Sequence, residues 1–222
     1  MILVTGNAGY IGSVMTRVLQ RESYQVIGLD CMYYEDCRFV SDAALPARQI
    51  RKDIRDLKAG DLEGVSAVIH LAALSNDPLG ELNPSLTAAI NADASVRLAE
   101  LSKNAGIERF IFSSSCSVYR AVADSRPIDE TGPVRPLTVY AKAKIDVERR
   151  ISQIADAKFH PVFMRNATVY GVSPMLRLDL VVNKRRIRNV WPPADPAGTL
   201  AETIGSASLL LIGDLALFVG FI

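Results

Sequence analysis

Short apolar runs and longer segments of helical period alternate along this chain, and each run is bounded by turn residues. The apolar runs predict strands within residues 1–5, 25–29, 48–51, 67–73, 109–112 and 159–164. The periodic segments predict helices within residues 10–20, 57–62, 84–105 and 138–155. Strands that alternate with helices predict an α/β fold, in which helices cover both faces of a doubly wound parallel sheet.

Three glycines follow the first strand, in the spacing Gly6-x-x-Gly9-x-x-Gly12. Gly6 allows a sharp turn because glycine takes positive φ without steric cost. Gly9 leaves no side chain where a ligand could approach, and Gly12 lets the next helix lie close to the strand. The helix start, at Tyr10 and Ile11, offers backbone N–H groups and a positive dipole end to a diphosphate. The alternative is a glycine-rich turn needed only for packing.

The second predicted strand ends in Asp30. An acidic residue about twenty positions beyond a glycine loop holds the ribose hydroxyls of a dinucleotide. Its carboxylate repels a 2′-phosphate, so Asp30 favours NAD over NADP. The alternative is an aspartate that caps its own turn.

Composition narrows the class of protein. The chain has 222 residues, 49% hydrophobic and 22% charged, with a net charge of +1, which fits one globular domain with or without a further fragment. A charge this close to neutral gives no support to nucleic acid or an acidic membrane as a partner. Three cysteines without a C-x-x-C pair, and only two histidines, predict no metal site. No leader segment is recognised ahead of the first strand, so we expect a cytoplasmic protein.

Several segments carry a family resemblance: residues 5–12, 53–54, 70–73, 112–119 and 140–144, together with Asp30 and Asn91. On these the chain resembles the extended short-chain dehydrogenase/reductase family, and within it the NAD-dependent nucleotide-sugar epimerases and dehydratases. The resemblance implies a Rossmann fold. It also implies an NAD-binding domain with the catalytic residues at 1–172, and a divergent remnant of the substrate lobe at 173–222.

Tyr140 and Lys144 are four residues apart, so on a helix they share one face. A nearby ammonium favours the phenolate and lowers the pKa of the tyrosine. The resemblance implies that Tyr140 takes a proton from a sugar hydroxyl while hydride passes to NAD, and that Lys144 also bonds the nicotinamide ribose. It implies that Ser115 hydrogen-bonds the substrate oxygen, with Ser114 as the other candidate. The alternative is a packed Tyr140 beside a solvated row of cations.

By the same resemblance, Asp53 and Ile54 bracket the adenine, and Leu71, Ala72 and Ala73 lie along the diphosphate and ribose. A surface aspartate and an ordinary buried strand would explain the same residues.

Two further polar residues lie near these segments. We interpret His70 as a hydrogen-bonded strand-end histidine rather than a catalyst. Asn91 either fixes the active-site backbone through its amide or faces solvent.

The residues after Ser115 bear on the reaction. Dehydratases of the family carry an Asp-Glu pair where this chain has Cys116 and Ser117, so dehydration is disfavoured. An epimerase needs only reversible oxidation of a sugar hydroxyl and return of the hydride. A nucleotide-sugar reductase or dehydrogenase needs the same residues and stays open, as does a non-catalytic NAD-binding remnant or sensor. Family members often dimerise, so the resemblance implies that a homodimer would form through the helices at 84–105 and 138–155.

Two departures from the family pattern matter. Arg120 stands where a glycine is usual, and after residue 183 the chain turns to a basic run at 184–188, a proline cluster and an apolar tail at 207–222. We hypothesise an altered reading frame or a truncated copy.

The apolar tail is shorter than the ~20 residues of a membrane-spanning helix and contains Asp214. We therefore expect a terminal segment that packs against the protein core rather than a membrane anchor.

Overall fold

The computed structural model of the chain describes residues 1–38, 45–75, 77–119, 128–175, 177, 180 and 209–211. Its centre is a six-stranded parallel sheet of order β3-β2-β1-β4-β5-β6. The strands are β1 (Ile2–Thr5), β2 (Val26–Asp30), β3 (Arg48–Arg51), β4 (Ala67–His70), β5 (Arg109–Ser115) and β6 (His160–Asn166). This order confirms the doubly wound sheet, and its direction of winding reverses between β1 and β4, where such sheets bind ligands.

Five α-helices accompany the sheet in the described part of the chain. They are α1 (Tyr10–Arg21), α2 (Asp77–Leu82), α3 (Pro84–Ala88), α4 (Ala94–Asn104) and α5 (Val139–Ile154). A π-helical turn (Ala89–Asp93) joins α3 to α4, and 3₁₀ turns lie at Glu35–Cys37, Ile54–Asp56, Ala59–Leu62 and Cys116–Val118. A short strand β7 (Thr168–Tyr170) pairs in parallel with β8 (Leu209–Leu211).

The core has two halves, one on each face of the sheet, because successive side chains of a strand point to opposite faces. On one face Leu3 and Phe112 pack with Val147 and Ile151 of α5 and with residues of α4. On the other, Ile2, Val4, Ile69 and Ile111 pack with Met15 and Leu19 of α1. The apolar strands are therefore covered on both sides, as a parallel sheet requires.

Several predicted elements differ in extent. The strand predicted at 67–73 ends at His70, because its neighbour β1 ends opposite it at Thr5 and the chain turns away there. The strand predicted at 109–112 continues to Ser115, since β6 pairs with it as far as Asn166. The helix predicted at 84–105 is interrupted by the π-helical turn, the one predicted at 57–62 is a single 3₁₀ turn at Ala59–Leu62, and α2 was not predicted.

Some predictions concern residues that the structure does not describe. Arg120, the basic run 184–188 and the tail 207–222 lie outside the described residues, apart from the backbone of β8. The division of the chain after residue 172 therefore stays a prediction. Among the described residues, no helix combines the length and the hydrophobicity needed to cross a membrane.

The turn between β1 and α1 brings three backbone segments into direct contact. Gly6 has φ +70°, and a Cβ there would lie 2.8 Å from the backbone nitrogen of Ala72. A Cβ on Gly12 would lie 2.0 Å from the carbonyl oxygen of Gly6 and 2.6 Å from Cα of Asn7. Since these neighbours are backbone atoms, they cannot turn aside, and both positions require glycine.

We expect Gly12→Ala to lower the free energy of unfolding by about 2 kcal/mol, because overpacking of a filled interior typically costs about 1–3 kcal/mol. Gly60→Ala is the matched control, since a Cβ there meets nothing within 4 Å. Urea unfolding followed by circular dichroism measures both. Alanine is the better helix former, so a Gly12→Ala chain as stable as the wild type would contradict the close contact.

Candidate active site at the carboxyl edge of the sheet

The start of α1 faces the carboxyl edge of the sheet without a side-chain cap. Gly9 is the N-cap residue, has extended backbone geometry and contributes no side-chain hydrogen bond to the first turn. A Cβ on Gly9 would meet only the carbonyl oxygen of Gly6, at 3.3 Å. The space over the first turn is therefore left open, and the positive end of the helix dipole faces it.

The side chains of the two residues after Gly9 belong to the protein interior. Tyr10 is buried, and its hydroxyl donates to the carbonyl of Gly171 at 2.6 Å. Ile11 is half-buried and packs against the core on the α1 side. Neither side chain is directed at a ligand, so their part in a diphosphate site would be that of the helix backbone.

Asp30 ends β2 and is bonded to the glycine turn itself. One carboxylate oxygen accepts from the backbone N–H of Ala8 at 3.1 Å, and the other accepts from that of Met32 at 2.8 Å. The aspartate therefore does cap local backbone, as the alternative reading held, but it does so for the turn that would bind the diphosphate. Its oxygens retain lone pairs for further donors such as ribose hydroxyls.

A second bond holds the turn from the β3 side. The amides of Asn7 and Gln49 donate to each other, at 2.8 and 3.2 Å. The Asn7 side chain fills the place of a Cβ on Gly28, whose position would lie 2.4 Å from the Asn7 amide nitrogen. Sequence reasoning missed this pair because its partners are separated by 42 positions.

Asp53 and Ile54 lie at the first 3₁₀ turn after β3. Ile54 is buried in the core, and Asp53 caps the turn by accepting from the backbone N–H of Arg55 at 2.8 Å. The guanidinium of Arg55 also bonds Asp53 through two nitrogens and holds the pKa of its carboxyl below the usual value. The pair thus has a structural explanation, and its place beside an adenine stays a proposal.

Leu71, Ala72 and Ala73 follow β4 and are half-buried at the switch point. The N–H of Leu71 donates to the carbonyl of Thr5 at 3.1 Å, and that of Ala72 donates to the Thr5 hydroxyl at 3.2 Å. These bonds hold the three small or apolar residues against the glycine turn. The chain at this point has left the sheet and lines its carboxyl edge.

A buried chain of hydrogen bonds continues from Thr5 through His70. The ring nitrogen Nδ1 of His70 lies 2.7 Å from the Thr5 hydroxyl, and Nε2 lies 2.8 Å from that of Ser95. Because Ser95 donates to the carbonyl of Asn91, it accepts from Nε2–H, and Thr5 donates to Nδ1. Burial lowers the pKa of His70 to about 3, so the ring is neutral. The interpretation of His70 as a hydrogen-bonded strand-end residue is confirmed.

Asn91 fixes the same segment from the π-helical turn. Its side-chain oxygen accepts from the N–H of Leu74 at 2.8 Å, and its amide donates to the Leu74 carbonyl at 3.0 Å. Asn91 is buried, so the structural role proposed for its amide is confirmed and the solvent-facing alternative is wrong.

The three serines at the end of β5 have different surroundings. Ser114 is buried, and its hydroxyl donates to the carboxylate of Glu148 on α5. Ser113 accepts from the side-chain amide of Asn166 at 3.0 Å. Ser115 is half-buried, and its oxygen accepts from the N–H and the hydroxyl of Ser117 at 3.1 and 2.9 Å. With Ser114 engaged on the α5 side, Ser115 is the better placed of the two candidates to meet a ligand.

Tyr140 and Lys144 lie in the first two turns of α5, which Thr138 caps. Tyr140 is half-buried, and Lys144 is only 2% exposed. The Lys144 ammonium donates to the carbonyl of Ser113 at 2.6 Å and lies 4.4 Å from the ring centre of Phe112 and 5.4 Å from that of Tyr140. Burial lowers its pKa to about 7, against the opposing charge of Glu148. A solvated row of cations is therefore the wrong reading for Lys144.

Sequence reasoning missed Glu148 and Arg165, which form a buried ion pair behind these residues with N–O at 2.6 Å. The position of Glu148, four residues after Lys144 on the same helix, was a signal that could have found it. In the described residues, no group of three or more His, Cys, Asp or Glu side chains could hold a metal ion.

The features at this edge fit a dinucleotide. An uncapped helix start, a glycine where a side chain would intrude, and an aspartate at the end of the next strand are the parts that bind one. The fold and the site therefore define a dinucleotide-binding domain with a Tyr-x-x-x-Lys pair. The chain belongs to the NAD dependent epimerase/dehydratase family, whose sequence model matches residues 2–190. The family is NAD-dependent.

Known proteins of this family resemble the chain along most of its length. A putative UDP-glucose 4-epimerase of Methanocaldococcus jannaschii is 31% identical over 177 residues, which are 77% of this chain and 56% of that protein. TunA, an NAD-dependent NDP-hexosamine 5,6-dehydratase, superposes with a TM-score of 0.82 at 25% identity, covering 99% of this chain and 70% of that one. MoeE5, solved with UDP-glucuronic acid and NAD, gives a TM-score of 0.79 at 29% identity with the same coverage. The chain spans about half the length of the curated relatives it matches.

The neutral His70 makes stability depend on pH. The pKa of His70 is lower in the folded chain than in the unfolded chain. Its contribution to the free energy of unfolding is therefore complete above about pH 6.5 and is lost as the pH falls towards about 3. We expect the wild type to lose about 2 kcal/mol through this group between pH 7.5 and 5.0. His70→Asn should lack this loss, and His160→Asn, at an exposed position, should retain it. Urea midpoints at the two pH values measure it; an equal loss in all three chains would contradict the assignment.

Proposed function

We propose that this chain is an NAD-dependent nucleotide-sugar epimerase-like enzyme that transiently oxidises a sugar hydroxyl. The observation that carries the proposal is the buried ammonium of Lys144 beside the ring of Tyr140, next to the hydroxyl-bearing end of β5. A half-buried phenol next to a cation is the arrangement that turns tyrosine into a base. Membership of the family supports the same reaction class.

Each residue has a distinct part in this mechanism. Tyr140 accepts the proton of the sugar hydroxyl at its phenolic oxygen and returns it when the hydroxyl re-forms. Lys144 stabilises the phenolate electrostatically and donates to the nicotinamide ribose. Ser115 donates a hydrogen bond to the reacting sugar oxygen; within the described part of the chain its own oxygen accepts from Ser117 and its hydroxyl donates to no other group. Ser114 is bonded to Glu148 and is the weaker candidate for binding substrate.

The cofactor would lie along the carboxyl edge of the sheet. NAD, when bound, supplies the hydride acceptor and donor of the reaction. We assign its diphosphate to the turn Gly6–Gly9–Gly12, its adenosine ribose to Asp30 and its adenine to Asp53 and Ile54. The backbone at Leu71, Ala72 and Ala73 would border the diphosphate and the nicotinamide ribose, as part of the same assignment.

Epimerisation is preferred to dehydration because the chain lacks the acid–base pair that removes water. Cys116 is partly buried, and burial raises the pKa of its thiol, so at neutral pH the thiol stays protonated and cannot serve as the base. Ser117 is bonded to Ser115. A nucleotide-sugar reductase or dehydrogenase requires the same Tyr140, Lys144 and Ser115 and remains the alternative within the class.

A second candidate is an NAD-binding protein without catalysis, a sensor or a remnant. The change of composition in the last part of the chain favours it, because the family's sequence model matches only as far as residue 190. Calorimetric titration separates the two: NAD first, then UDP- and dTDP-hexoses on the NAD complex. Binding of both ligands supports the enzyme, and binding of NAD alone supports the second candidate.

We further propose a cytoplasmic homodimer formed through the α3–α4 segment and α5.

Tyr140→Phe should abolish turnover of a nucleotide sugar, by about 10²-fold or more, because the base is lost. NAD affinity should stay within about threefold, since the ring and its neighbours remain. Tyr24→Phe is the control, because Tyr24 lies on the opposite edge of the sheet. A coupled assay of the sugar product measures the first effect and calorimetry the second. Retained turnover in Tyr140→Phe would refute the mechanism.

Asp30→Asn should reduce the preference for NAD over NADP. We expect the wild type to bind NAD at least about tenfold more tightly, because the carboxylate repels a 2′-phosphate. In the variant the ratio of the two dissociation constants should approach one, even if both affinities fall because the bond to Ala8 is altered. Measuring the ratio separates charge from damage to the turn. An unchanged ratio would show that Asp30 does not face the ribose.

A further inference from the structure

The same face of α5 carries a third polar residue, Glu148, one turn beyond Lys144. Lys144 donates to the carbonyl of Ser113, and Glu148 accepts from the hydroxyl of Ser114. Two successive turns of the helix therefore hold two successive residues of β5. Ser115, the next residue, is the one that we assign to the substrate.

Glu148 is in turn held by Arg165 of β6. The Arg165 Nε lies 3.1 Å from both carboxylate oxygens, and a terminal nitrogen lies 2.6 Å from one of them. The side chains are 7% and 18% exposed, so the pair is largely shielded from water. Arg165 also donates to the Tyr119 hydroxyl at 2.6 Å and to the Glu130 carbonyl at 3.0 Å. It thus joins β6 to the turn after β5 and to the segment before α5.

The charge of Glu148 acts on Lys144. Burial destabilises the ammonium, and the carboxylate one turn away is the charge that opposes this effect. Removing Glu148 alone would also leave the Arg165 cation unpaired behind the ammonium. In the described part of the chain, ionisable groups on elements packed against α5 include Cys116, Asp93, Glu81 and Arg165 with its partner Tyr119, and His70 faces Lys144 from β4. His70 is neutral, Asp93 bonds Arg150, and Glu81 accepts from the N–H of Val139.

We propose that Glu148 and Arg165 are positioning residues for the catalytic face of α5. Glu148 fixes the end of β5 through Ser114 and keeps Lys144 cationic, and Arg165 limits this effect by neutralising the carboxylate. The inference rests on the proposed function in one respect, namely that Tyr140 is the base whose phenolate the Lys144 ammonium stabilises. The charge coupling itself is a property of the chain without ligands.

The test is the titration of Lys144 in four chains. The ¹³Cε resonance of Lys144, assigned by its absence in Lys144→Met, reports protonation in the labelled chain without cofactor. We expect a wild-type midpoint of about 7. Glu148→Gln should lower the Lys144 midpoint by about one pH unit, because it leaves the Arg165 cation unpaired near the ammonium. Arg165→Gln should raise the midpoint by a similar amount, because it leaves the Glu148 carboxylate unpaired. The double variant Glu148→Gln/Arg165→Gln should lie between the two.

The matched control is Asp146→Asn, which removes a carboxylate from α5 two residues from Lys144 but on its solvent-facing side, where Asp146 is half exposed. Its midpoint should equal that of the wild type. Single variants that match the wild type, or that both shift in one direction, would overturn the proposal. If Glu148→Gln does not fold, the comparison uses the other two variants. Lys144 must then have a higher midpoint in Arg165→Gln than in the double variant, which leaves neither charge of the pair unpaired. Because no substrate is used, absence of turnover would refute the proposed function without affecting this result.

Discussion

The contact of backbone with backbone at the glycine turn is the constraint on which the rest of the site depends. Gly12 lies against the carbonyl of Gly6, and Gly6 lies against the backbone at Ala72. These contacts fix the separations of β1, α1 and the segment after β4 at once. A Cβ at either position would clash with backbone atoms, so these segments can lie this close together only with glycine at both positions. The helix start is thereby held at the edge where a diphosphate would meet it.

Polar groups buried around this turn are satisfied by one another rather than by water. Every described buried side-chain nitrogen or oxygen has a hydrogen-bond partner. His70 achieves this as a neutral ring between two hydroxyls, whereas Lys144 does so with a carbonyl and two aromatic rings. Both residues are buried, yet only the lysine retains substantial protonation near neutrality. Hydrogen bonds within the chain therefore hold these side chains in place, which reduces the ordering that ligand binding requires.

The doubly wound parallel sheet and the Tyr140–Lys144 face could be predicted because local patterns indicate them. A glycine spacing, an apolar run and a four-residue interval are each readable within a dozen positions. The bonds of Asn7 to Gln49 and of Ser114 to Glu148 could not be read in this way, because they join residues 42 and 34 positions apart. Strand ends were misplaced for the same reason, since β4 stops and β5 continues according to their neighbours.

The choice between Ser114 and Ser115 illustrates what only the assembled sheet can decide. Adjacent residues of a strand face opposite sides, so a run of serines carries no information about which hydroxyl meets a ligand. Once α5 covers one face, Ser114 is committed to Glu148, and exchanging it for a ligand would leave a buried carboxylate short of a donor. Among the described residues, Ser115 takes part only as an acceptor, with both hydrogen bonds coming from Ser117. Under the proposed function, the hydroxyl that meets the substrate is thus selected by the same helix that carries the proposed base, Tyr140.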